Sequence, residues 1–84
     1  MNTPPADGVT VRYWAGARAA AGVAQEQRPP GSVAEVRAAA AADHPDLVPV
    51  LAVASTLLDG LSVGPDARAE AGSLLEVLPP FAGG

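Results

Sequence analysis

Side chains able to act as a general base are scarce in this sequence. His44 is the single histidine, set in DHPD between two carboxylates, Asp43 and Asp46. A histidine beside acids could move a proton, and the two acids could hold a hard cation through oxygen. Placed before Pro45, however, His44 reads as a solvated loop residue, and single acids at a helix end read as solvated too. There is no cysteine, which excludes disulfides, thiolate metal sites and a thiol nucleophile within the chain. The glycines fall one at each element boundary, and no GxGxxG or phosphate-loop spacing is present. Tyr13 and Trp14 could stack on a base or face a partner. With Phe81 they are the only aromatics, so both read as core packing.

The reactive group that remains is the carboxylate of Gly84, which follows LPPFAG. Pro79 and Pro80 lock φ and stiffen the exit from the preceding segment. Phe81 offers an apolar anchor for a partner. Ala82, Gly83 and Gly84 then taper to no side chain, so they could thread a channel too narrow for larger groups. Residues 79–84 span at most about 20 Å when extended, enough to enter a neighbour's active site. Ordering such a tail costs roughly 1–2 kcal/mol per residue. Contacts at Phe81, Pro80, Pro79 and the body of the domain must offset that cost.

A scaffold must hold this tail, and the sequence outlines one. VTVRYW, residues 9–14, alternates as a strand, with Val9, Val11 and Tyr13 on one face and Thr10, Arg12 and Trp14 on the other. AGARAAAG favours a short helical turn stopped by Gly22. Residues 23–28 read as a second strand with one wet face, ended by Pro29, Pro30 and Gly31. Ser32 and Glu35 have the spacing of a capping box, and Val33, Val36 and Ala40 then share a helix face. The pre-proline position of His44 ends that helix near Asp43. A loop with Pro45 and Pro49 follows. Asp59-Gly60 between two β-prone runs predicts a tight hairpin, residues 64–73 a connection, and LLEVL a last, central strand. The expected fold is α+β: a mixed sheet of about five strands with one main helix packed on one face.

Eighty-four residues make one domain, with a short flexible leader at residues 1–7 and an extended tail at 79–84. Apolar residues are 49% and charged residues 17%, which favours a packed domain over a disordered one. Five arginines and no lysine against nine acids give a net charge of −4, which speaks against a nucleic-acid partner. The longest apolar run, LVPVLAVA, is far short of the roughly 20 residues of a membrane span. The first residues lack a signal-peptide pattern, so no membrane and a cytoplasmic location are expected.

Taken with these elements, VRYWAGARAAAG, LLDGLSV and above all PPFAGG resemble the sulfur-carrier branch of the ubiquitin-like β-grasp proteins, most closely the small subunit of molybdopterin synthase. The resemblance covers residues 9–84. Phe81 stands where valine is commoner, and Gly72-Ser73 where Gly-Asp is more usual. The resemblance implies that a ubiquitin-activating-type adenylating enzyme uses ATP to activate Gly84, which becomes a thiocarboxylate. The large subunit of molybdopterin synthase then receives the tail, and the sulfur goes to a pterin precursor. It also implies no bound cofactor and no catalytic side chains of the chain's own. Alternatives are a carrier for thiamine, cysteine or another sulfur-containing product, a ubiquitin-like modifier of other proteins, and a plain binding module.

Overall fold

The computed structural model describes residues 8–80. Strand β1 (Val9–Tyr13) buries alternate residues as its pattern demands. Helix α1 (Ala15–Ala21) follows and ends on Gly22 at φ 77°, the left-handed cap that glycine tolerates best. Strand β2 (Gln25–Arg28) returns antiparallel to β1 and forms one edge of the sheet.

Helix α2 (Val33–Asp43) starts on the expected capping box: Glu35 N–H donates to Ser32 Oγ at 3.1 Å, and Ser32 N–H donates to Glu35 Oε1 at 2.8 Å. It buries Val33, Val36 and Ala40 and ends before Pro45. The segment read as a loop holds a further helix, α3 (Leu47–Leu51). Pro49 lies in its first turn, where the missing N–H would have no intrahelical partner. Burial of Leu47 and Leu51 in the core holds this short turn.

Strands β4 (Ser55–Leu58) and β5 (Leu61–Ser62) form the predicted hairpin, with Asp59 at φ 50° and Gly60 at φ 86°. Two differences come from tertiary pairing. Gly31, read as part of a turn, and Ser32, read as the cap of α2, also form a short strand β3, and Arg68–Ala69, read as connection, is its antiparallel partner β6. Strand β7 (Leu74–Leu78) lies at the centre of the five-stranded order β2-β1-β7-β4-β5. It runs parallel to β1 and antiparallel to β4.

One face of the sheet carries Val9, Val11, Tyr13, Leu75 and Val77, and these join Ala17, Val33, Val36, Leu47 and Leu51 in a single core. The other face carries the intervening residues and has no described helix over it. The arrangement is the ubiquitin-like β-grasp, as the resemblance implied. Among the described residues, no helix is long and apolar enough to cross a membrane.

Candidate functional site

The parallel pairing of the first and last strands decides what surrounds the base of the tail. Tyr13 is in register with Val77. One step further, Trp14 N–H donates to Val77 O at 3.2 Å, which sets Trp14 beside Leu78. Pro79 is half-buried and Pro80 exposed, so the chain leaves the sheet at this corner. Phe81, Ala82, Gly83 and Gly84, the anchor and threading residues expected from the sequence, lie outside the described residues, as do residues 1–7.

Trp14 was expected in the core; it is instead 45% exposed. The strand's own alternation contains the reason, because Trp14 follows Thr10 and Arg12 on the face that no helix covers. Its indole N–H donates to Glu76 Oε2 at 3.0 Å. Arg12 is opposite Glu76 in the β1–β7 register but turns its Nε to Gln25 Oε1 at 3.2 Å. Half-buried Leu57, Leu74 and Leu78 share this outer face with Trp14 and Glu76. The result is a surface at the end of β7 where Trp14 and three leucines adjoin Glu76, with Arg12 beside them held by Gln25.

Beneath the sheet, Tyr13 is 2% exposed, as expected of a core residue. Its hydroxyl donates to Glu26 Oε2 at 2.5 Å. Glu26 also accepts from Arg28 at 3.0 Å, and Arg28 reaches on to Asp43. His44 Nε2 is 2.9 Å from Glu26 Oε2, and its ring meets Tyr13 edge-on. The expectation of a solvated His44 is thus corrected. The helix end brings the ring to the β2 edge, where Glu26 binds it.

Burial would push the Glu26 carboxyl up, but hydrogen bonds from Tyr13, His44 and Arg28, with the Arg28 charge, outweigh it and hold the group below its usual range. An ionised carboxylate only accepts, so Nε2 of His44 is the nitrogen that carries a proton. Burial pushes the Tyr13 hydroxyl well up, and the Glu26 hydrogen bond and charge add to it. This cluster braces β1, β2 and the end of α2. Asp43 is paired with Arg28, and no group of three potential metal ligands occurs among the described residues. Two surface hollows, one beside α1 at Arg18 and Val23 and one between α2 and α3 at Arg37 and Val48, bring together no nucleophile and base.

Sequence reasoning missed both aromatic–carboxylate pairs. Alternation could have placed Trp14 outside, whereas no local signal links it to Glu76.

No family model matches the chain, and no curated protein matches it. Solved structures do. SAMP1 from Haloferax volcanii is similar with a TM-score of 0.83 at 20% identity, over 92% of this chain and 99% of that one. The small archaeal modifier protein 1 from Methanosarcina acetivorans gives 0.83 at 21% identity, over 92% and 96%. A chain of the complex of subunits 1 and 2 of the molybdopterin-converting factor from Helicobacter pylori gives 0.67 at 18% identity, over 92% and 99%. At these identities the likeness is one of fold.

Proposed function

We propose that the chain is a sulfur carrier of the molybdopterin-synthase small-subunit type, with the Gly84 carboxylate as the group that is loaded. The observation that carries this reading is the corner where β7 leaves the sheet. There the end of β7 lies beside an exposed face carrying Trp14 and Leu78, and PPFAGG follows β7 in the sequence. The fold likeness to a subunit of the molybdopterin-converting factor supports it.

The chemistry follows from the terminus. A carboxylate is ionised at neutral pH and repels nucleophiles, so its oxygen must first become a good leaving group. Attack of the carboxylate on the α-phosphate of ATP, held by a ubiquitin-activating-type enzyme, forms the acyl-adenylate and releases pyrophosphate. A sulfur nucleophile then displaces AMP: hydrosulfide gives the thiocarboxylate directly, whereas a donor persulfide gives an acyl disulfide, which a second thiol cleaves to the thiocarboxylate, leaving as a disulfide with the donor. Gly83 and Ala82 thread the partner's channel, while Phe81, Pro80 and Pro79 bind its mouth. The large synthase subunit accepts the loaded tail and passes its sulfur to a pterin precursor. Acid–base side chains belong to these partners.

Mass spectrometry after incubation with activating enzyme, ATP and a sulfur donor is expected to show one oxygen replaced by sulfur at Gly84. An unchanged mass with an enzyme that loads another carrier overturns the proposal. One residue added after Gly84 should abolish loading and leave the fold intact. The neighbours named as modifiers favour a second reading, in which Gly84 is joined to an amine of a target protein. Its product is an amide, which the same spectra distinguish from a thiocarboxylate.

A further inference from the structure

Trp14 presents a large apolar surface to solvent, yet its ring is not free. The indole N–H is held by a carboxylate 62 positions away along the chain. The backbone just after it, at Ala15, takes φ 48°, a left-handed conformation that costs a non-glycine residue about 1–2 kcal/mol. Helix α1 begins there without a side-chain cap. The chain thus gives up local stability at the point where Trp14 is turned outward.

Glu76 is the second half of the observation. It has no cation within ion-pair distance among the described residues, since the nearest candidate in register, Arg12, is directed to Gln25. An indole face beside an uncompensated carboxylate is the chemistry that receives a guanidinium or ammonium group: the acid supplies charge and the ring a cation–π contact. Leu78 and Leu74 on the same face supply apolar area around it.

We propose that Glu76 is a positioning residue that pins Trp14 over the root of the tail, and that the protein docking there presents an arginine or lysine within an apolar surface. The docking half rests on the carrier reading; the positioning half stands on the isolated protein. On this inference Glu76 has two separable properties. As a hydrogen-bond acceptor it restricts the ring, and as a charge it selects the partner.

Trp14 is the chain's single tryptophan, so its fluorescence reports on it alone. Time-resolved anisotropy should show a restricted indole in the native protein and in Glu76→Gln, whose amide oxygen still accepts, and a freely rotating one in Glu76→Ala. Equal restriction in Glu76→Ala overturns the positioning half. In steady-state loading by an adenylating enzyme competent on the native chain, Glu76→Gln should raise KM for the carrier about tenfold with kcat held, and weaken the salt dependence of KM. An unaltered KM in Glu76→Gln overturns the docking half. A native chain that is never loaded sinks the carrier reading and the docking half together. Normal loading with an unchanged KM sinks the docking half alone.

Discussion

Tyr13 and Trp14 are adjacent in the chain and point to opposite faces of the sheet. Each gives its one polar hydrogen to a carboxylate, Tyr13 to Glu26 and Trp14 to Glu76. Below the sheet that carboxylate also binds Arg28 and His44, and its side chain is 21% exposed. Above it, the carboxylate meets no cation among the described residues and the ring is 45% exposed. The same pairing therefore serves two ends. Enclosed and charge-compensated, it braces the fold; open and uncompensated, it leaves surface and charge for a second molecule.

The contrast can be broken or sharpened by substitution on either face. The largest expected effect is at Leu75, fully buried on the inner side of the central strand. Leu75→Ala should lower unfolding free energy by about 2–5 kcal/mol in denaturant titrations, while the same change at half-buried Leu74 costs clearly less. Comparable losses at both positions would erase the distinction between the faces. Next, Tyr13→Phe removes a hydrogen bond to a charged acceptor and should cost about 1.5–3 kcal/mol.

One part of the pH dependence of stability should come from the Glu26 cluster on the inner face. Glu26 ionises more readily folded than unfolded. Below the ordinary glutamate value, about 4.3, the unfolded chain takes up the proton first, so this stability is lost as pH falls through the depressed folded value. Tyr13 has the opposite sign. Its raised folded value means that stability is complete below about 10 and is lost as pH rises further. Glu26→Gln should flatten the acid limb that this residue contributes, measured by thermal melts across pH. The smallest effect on stability belongs to Trp14→Ala, expected within about 1 kcal/mol. Its loading by an activating enzyme should nevertheless fall by at least about tenfold, as at an interface anchor. A stability loss matching that of Tyr13→Phe would show that the ring serves the fold.

Most of the architecture was legible because it is local. Alternation in VTVRY, the Ser32/Glu35 capping box, Gly22 as a helix stop and Asp59-Gly60 as a hairpin are decided by neighbours within four residues, and each appears where expected. Helix α3 was missed because Pro49 and the shortness of LVPVL suggest a loop, and only burial of Leu47 and Leu51 overrides that preference. The β3–β6 pair was missed because two-residue strands have no periodicity to detect. At the candidate site, the tail residues read from the sequence lie outside the described residues, and the character of the face beside Pro79 was not legible from residue types. Trp14 was assigned to the core on the strength of its size, although its alternation with Val11 and Tyr13 already put it on the other face.

By itself the sequence determined the longer elements and the faces of the strands, since these depend on backbone sterics and on residues close in the chain. Tertiary structure decided which carboxylate each aromatic would find. Glu26 is 13 positions from Tyr13 and Glu76 is 62 from Trp14. Contacts at such separations exist only because β1 is flanked by β2 and β7, and sheet order is a property of the whole packed core rather than of any segment.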